Sequence, residues 1–158
     1  MAGAVVVIDV LRAFSTAAYA LAGGARHVYV VGRVDEALAF KTANPGTLAM
    51  GEEHGRRPPG FDFANSPAEL SRANVAGRVI VQRTSAGTQG VIAARAATRL
   101  WCAALVTASA TRRYVSKPSA TSQRVRPWPR ASGIRIRKSP DSRGMRASYV
   151  CRPVVPAP

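Results

Sequence analysis

Charged and hydroxyl residues gather directly after short apolar runs along this chain. Asp9 closes the run Ala4–Ile8, with Arg12, Ser15 and Thr16 just beyond it. Gly51-Glu52-Glu53 follows a second run, Arg83-Thr84-Ser85-Ala86-Gly87-Thr88 a third, and Thr107-Ala108-Ser109-Ala110-Thr111 a fourth. Asp9 and Glu52 are hard oxygen ligands of the kind Mg²⁺ takes, usually one or two alongside waters. Arg12 and Arg83 can fork onto phosphate or other anionic oxygens with paired donors. The small residues from Thr84 to Thr88 would let backbone N–H groups cradle an anion where a helix begins. The set suits an oxyanion held on a divalent cation. Each piece also has an ordinary structural use: an Asp at a strand end caps the next helix, a Ser/Thr-Gly turn is a cap, and Arg12 can be a solvated helix residue.

These residues reach one place only if the runs are strands of one sheet. Ala4–Ile8 reads as a strand buried on both faces, and Leu11 to Ala22 as a helix stopped by Gly23-Gly24. His27–Val31 is a second strand. Val34–Thr42 is a second helix with Asp35 and Glu36 in its first turn, where the helix dipole favours them. Thr47–Met50 is a third, short strand, and residues 51–66 form a polar Gly/Pro-rich loop. Ser66-Pro67-Ala68-Glu69 has capping-box spacing and opens a brief helix to about Arg72. Strands at Arg78–Gln82 and Leu100–Val106 flank a helix over Thr88–Ala97, and another helix is expected from Thr107. Strands alternating with helices predict an α/β fold, a three-layer sandwich with a mainly parallel sheet, and ligands bind such sheets beyond the carboxyl ends of the strands.

Several sites are excluded. No P-loop pattern, no Gly-x-Gly-x-x-Gly after the first strand and no Gly-x-Ser-x-Gly elbow occurs. His27 falls within a strand and reads as structural, while His54 lies in the long loop near Glu52 and Glu53. Cys102 sits in an apolar strand and reads as core. Two cysteines make neither a disulfide framework nor a metal knuckle, which favours a reducing cytoplasm. No apolar run approaches the roughly 20 residues of a membrane span, and no signal peptide is read at the N-terminus.

Five ordered motifs carry a resemblance. Val6-Val7-Ile8-Asp9-Val10-Leu11-Arg12-Ala13-Phe14-Ser15-Thr16-Ala17 resembles the opening motif of the 2-phosphosulfolactate phosphatase family. Met50-Gly51-Glu52, Gly60-Phe61-Asp62-Phe63-Ala64-Asn65-Ser66-Pro67, Gln82-Arg83-Thr84-Ser85-Ala86-Gly87-Thr88-Gln89-Gly90 and Thr107–Thr111 complete the set. The resemblance covers residues 4–111. It implies a Mg²⁺-dependent phosphatase that converts (2R)-2-phospho-3-sulfolactate to sulfolactate and phosphate, a step towards coenzyme M. By the same analogy Asp9 and Glu52 hold the metal, and Asp9, Arg12, Arg83 and Ser85 serve the reaction. Ser15, Thr16, Asn65, Ser66, Thr84, Gly87, Thr88, Ser109 and Thr111 would meet the substrate, a small anionic phosphate monoester. The haloacid dehalogenase phosphatases also open with an apolar strand and Asp, but they need a second Asp two residues on, where this chain has Leu11.

The charge divides the 158-residue chain. Of its net +15, residues 1–111 account for +4, and residues 112–158 for +11 with Asp141 as their one acidic group. The second segment is rich in Arg, Pro and Ser and departs from the family pattern. Ten Arg against two Lys is what GC-rich DNA gives when translated out of frame, so the segment is expected to be a disordered or frame-shifted tail on a truncated phosphatase domain whose activity is in doubt. Two other readings stay open. One is a non-catalytic anion-binding module, able to self-associate. The other is nucleic-acid binding through tail arginines interleaved with Tyr114, Trp128 and Tyr149. Resequencing across codon 111 and translating all three frames is expected to restore alternating strands and helices in another frame. If the present frame stands, filter binding to RNA at two salt concentrations tests the tail.

Overall fold

The structure, a computed structural model, describes residues 3–115, 133–138 and 149–154. Strand β1 (Ala4–Ile8) leads to helix α1 (Ala13–Ala22), β2 (His27–Val30), α2 (Val34–Ala43) and β3 (Leu48–Gly51). Then come β4 (Phe63–Ala64), α3 (Pro67–Leu70), β5 (Val79–Arg83), α4 (Gly87–Ala93) and β6 (Arg99–Ala103). A 3₁₀ turn at Leu105–Thr107 and α5 (Ala108–Val115) follow, with β7 (Gly133–Lys138) and β8 (Tyr149–Val154) last.

The strands form one sheet in the order β1-β6-β7-β8-β2-β5-β3-β4. It contains two parallel blocks, β1 with β6, and β2, β5, β3 and β4. Antiparallel β7 and β8 join them. Three antiparallel pairings lie between β6 and β2, so the blocks run in opposite senses along the ladder. The expected α/β fold with a mainly parallel sheet stands, four strand pairings among the described residues being parallel and three antiparallel, and packing of α4 against β1 brings ends of the two blocks together.

Neighbouring strand residues divide between two hydrophobic clusters. Val28, Val30, Met50 and Ile80 join Phe14, Ala17, Leu70 and Val91, from α1, α3 and α4. Val31, Ala49 and Val81 join Ala37 and Phe40 of α2. Alternation along a strand sends successive side chains to opposite faces, which gives three α/β/α layers.

The boundaries shift for local reasons. Helix α1 starts at Ala13, not Leu11, because the Asp9 carboxylate accepts the Ala13 N–H at 3.2 Å and draws the intervening residues into the cap. β6 stops at Ala103, where the Thr107 hydroxyl accepts the Ala104 N–H and turns the chain. The long loop contains β4, too short to leave a periodic signal. Two segments of the tail are strands. Ile134-Arg135-Ile136-Arg137 alternates at period two, a brief strand signal inside a composition that otherwise reads as unstructured.

Glycines set the closest approaches. A Cβ on Gly90 would lie 2.7 Å from Val7 Cγ1, and one on Gly87 would lie 2.6 Å from Ala13 Cβ and 2.7 Å from Asp9 Oδ2. At Gly51, with φ +140°, a Cβ would overlap the Arg83 carbonyl. Gly90→Ala is expected to destabilise the chain by a net of about 1 kcal/mol, overpacking against the β-branched Val7 exceeding the gain in helix propensity. Gly51→Ala should cost more than about 3 kcal/mol, since backbone strain adds to the overlap. Urea unfolding midpoints measure both.

Candidate active site

The four strand ends touch in sequence. Glu52, after β3, binds the turn after β5 through its carboxylate, which accepts from the Ser85 N–H at 2.6 Å and the Ser85 hydroxyl at 3.0 Å. Further along that turn Gly87 lies against Asp9, after β1. The Leu105 N–H, after β6, donates to the Val10 carbonyl at 3.4 Å. Asp9 and Glu52 thus flank one five-residue turn, Thr84–Thr88.

That turn is closed by its own side chains. The Thr84 N–H donates to Thr88 Oγ1 at 2.8 Å and the Thr88 N–H to Thr84 Oγ1 at 3.0 Å, with both residues buried. Ser85 N–H is spent on Glu52. The amides of Ala86 and Gly87 have no acceptor among the described residues.

Glu52 takes a third donor, the Gly55 N–H at 2.8 Å. His54 and Gly55 both have positive φ and form the two-residue tip between Glu53 and Arg56, a type I′ arrangement. The His54 N–H donates to the Ser85 hydroxyl at 2.9 Å, so this tip and the β5 turn hold each other. Burial alone would raise the Glu52 pKa. Hydrogen bonds from Ser85 and Gly55 and the charge of Arg83 outweigh it, leaving the carboxyl below the ordinary range.

Arg83 is gripped on three sides. Its guanidinium pairs with Glu53 at 2.9 Å and donates to the Glu52 carbonyl at 2.9 Å and the Gly32 carbonyl at 3.4 Å. A shallow cavity of about 460 Å³ opens on its α2 side, lined by Arg33, Val34, Asp35, Leu38 and Glu53 as well as Arg83. Arg12 is exposed at the N-cap of α1, and its carbonyl accepts from Thr16 Oγ1 at 2.9 Å.

The remaining expected residues lie around this centre. Ser15 and Asn65 are buried, and Ser15 Oγ and Asn65 Oδ1 have no hydrogen-bond partner among the described residues. Ser66 Oγ caps α3 by accepting the Glu69 N–H at 3.3 Å. Ser109 is exposed on α5, while buried Thr111 donates to the Cys102 carbonyl at 3.4 Å. Cys102 is fully buried in β6, and His27 meets Tyr29 edge-on. Among the described residues, no group of three or more His, Cys, Asp or Glu side chains could hold a metal ion, and no helix is long and apolar enough to cross a membrane. Trp128 and the Tyr114 and Tyr149 side chains, invoked for nucleic-acid binding, lie outside what is described.

Comparison with known proteins decides the family. The 2-phosphosulpholactate phosphatase family matches residues 1–122. The chain belongs to that family. The match runs beyond Thr111, where the composition changes. Similar curated proteins, each named a probable 2-phosphosulfolactate phosphatase, include one from Bacillus subtilis, 37% identical over 112 residues. Others are from Thermus thermophilus, 44% over 110 residues, and Deinococcus radiodurans, 43% over 109. The three alignments cover 71%, 69% and 68% of this chain and 49%, 46% and 45% of the relatives. The chain spans about half the length of the curated relatives it matches.

Three contributors to this phosphatase-family site carried no role in the sequence reading: Glu53, which pairs with Arg83; Gln89, whose amide donates to the Gly32 carbonyl at 2.7 Å; and Gln82. Each left a signal: Glu53 stands beside Glu52 after a strand, and Gln82 and Gln89 lie in the motif Gln82–Gly90, Gln82 as a polar residue ending the apolar run Val79-Ile80-Val81.

The depressed Glu52 pKa makes the Glu52–Ser85 clasp pH-dependent. A carboxyl whose folded pKa lies below its unfolded value, about 4.3, contributes stability above that pH and loses it as pH falls through the folded pKa. Glu52→Gln is therefore expected to lower Tm near neutrality, with the gap from wild type narrowing below about pH 4. Thermal melts by circular dichroism from pH 7 to 3 check this. A gap that stays constant with pH would mean that the carboxylate charge contributes nothing.

Proposed function

We propose that this chain carries the phosphoryl site of a Mg²⁺-dependent phosphatase that hydrolyses (2R)-2-phospho-3-sulfolactate, in the cytoplasm and on the route towards coenzyme M. The observation that carries this reading is the Thr84–Thr88 turn held between two carboxylates, Asp9 and Glu52, in a chain of this family. In the reaction one water adds to phosphorus and the ester P–O bond breaks, giving phosphate and 3-sulfolactate.

The donor set fits the metal. Mg²⁺ is commonly held by one or two carboxylates with waters and substrate oxygens completing the octahedron, so two suffice. Asp9 uses Oδ1 to cap α1, which leaves Oδ2 for a ligand. Glu52 accepts three bonds, and a carboxylate has about four lone-pair directions, so one remains. Bound there, the cation would polarise the phosphoryl oxygens.

The chain's own groups supply the rest. The substrate carries phosphate, sulfonate and carboxylate, and needs several fixed donors. The Ala86 and Gly87 amides, presented by the Thr84–Thr88 clasp, suit phosphoryl oxygens. Arg83, already oriented by Glu53 and Gly32, offers charge with little reorganisation. Exposed Arg12 and Ser109 are free to meet the distal anionic groups.

A second reading, an anion-binding module without turnover, is supported by the Ala86 and Gly87 amides, which can hold an anion with no metal beside it. Colorimetric phosphate release from 2-phospho-3-sulfolactate separates the two. The expected result is release that requires Mg²⁺, stops on chelation and falls by about 10²-fold in Asp9→Asn. Release indifferent to chelation would sink the metal assignment. Calorimetric binding of sulfolactate without hydrolysis would select the second reading.

A further inference from the structure

Gln82 is the last apolar-face residue of β5 before the Arg83–Thr88 segment, and it is fully buried. Its Nε2 donates to the Ala13 carbonyl at 2.8 Å, across 69 residues of sequence. Its Oε1 is buried with no partner among the described residues. The amide cannot be reversed to relieve this, because Oε1 would then face the Ala13 carbonyl, acceptor against acceptor. For local stability alone an apolar side chain of the same size would serve better, since it would strand no acceptor.

The bond's position gives it another use. Ala13 is held twice: its carbonyl by Gln82, and its N–H by donating to Asp9 Oδ1. Its Cβ also limits the approach of Gly87, and Gly87 borders Asp9 Oδ2. Gln82 thus stands at the root of the β5 turn while gripping the residue that fixes the Asp9 carboxylate. A single side chain spans both halves of the site.

We propose that Gln82 is a positioning residue, setting Asp9 against the Thr84–Thr88 turn through Ala13. Its catalytic consequence rests on the phosphatase reading above; its geometric consequence does not. Gln82→Met keeps the volume, removes the bond and removes the stranded acceptor. Three readouts are taken on the full chain: Tm, hydrogen exchange at the Ala13 amide, and phosphate release with kcat and KM resolved. Tm is expected to stay level or rise, and Ala13 exchange to quicken by about tenfold or more as the Asp9 bond loosens. kcat should fall by about tenfold or more with KM little changed. If Gln82→Met does not fold, Gln82→Asn replaces it, an amide one methylene too short to reach Ala13, with the same expectations for exchange and kcat. Unchanged exchange would overturn the proposal. So would faster exchange and a lower kcat that merely track a fall in Tm. If the wild-type chain releases no phosphate, the phosphatase reading fails by itself, and Ala13 exchange still decides the role of Gln82.

Discussion

The rest of the site depends on how closely α4 lies against β1. Two glycines one helical turn apart, Gly87 and Gly90, put helix backbone where any side chain would collide with Asp9, Ala13 or Val7. This contact unites strand ends that the sheet's ladder keeps apart, since the block holding β1 and β6 is joined to the block holding β2 and β5 by three antiparallel pairings. Asp9 can reach the turn after β5 because that turn runs directly into a helix with glycine at the two positions that meet Asp9, Ala13 and Val7. The same glycines bring the α4 backbone at Gly87 close to Asp9 Oδ2.

The carboxylates divide their lone pairs between structure and chemistry. Asp9 caps α1 with one oxygen, and Glu52 braces both Ser85 and the His54–Gly55 tip. These bonds preorganise the oxygens: a carboxylate fixed by backbone N–H groups would need little further ordering to take the proposed cation. Arg83 follows the same logic from the cationic side. Its partners are two backbone carbonyls and one carboxylate, so most of its orientation is imposed by atoms that do not titrate, with Glu53 compensating part of its charge.

What could be read from the sequence was what depends on local pattern. The β-branched run ending at Asp9, the Ser66–Pro67 cap and the small-residue turn at Thr84–Thr88 each announce themselves within a few residues, and each stands where it was expected. The family followed from five such patterns in order. What stayed hidden depends on chain segments far apart. The Glu53–Arg83 pair and the Gln82–Ala13 bond join residues 30 and 69 positions apart, and the pairing that opposes the strand blocks sets Val28 beside Cys151; no local periodicity encodes them. The Glu52 clasp lies between: its residue type and position suggested a metal ligand, but only the fold shows how much of the carboxylate is already used.

The strand that carries Asp9 lies at an edge of the sheet. Among the described residues β1 pairs only with β6. Around its carboxyl end Ile8, Val10, Leu11 and Leu105 are all more than half exposed. Unpaired edge groups beside exposed apolar side chains form a surface prone to further association, and they lower the cost of local opening. The Asp9 N–H bond to the Ala103 carbonyl at 2.9 Å, with the Val10–Leu105 bond, holds that strand end on the β6 side, and Gly90 against Val7 holds it on the helix side. They stabilise β1 from the helix side and the β6 side, but neither restrains its open edge. The Asp9 backbone is thus fixed by its ladder to β6, and its carboxylate by what grips the residues beyond: Ala13, held by Gln82, and Gly87, next to the clasp of Thr84 with Thr88. The geometry of the site is built from the β5 side, and β1 delivers a carboxylate into a frame that β5 provides.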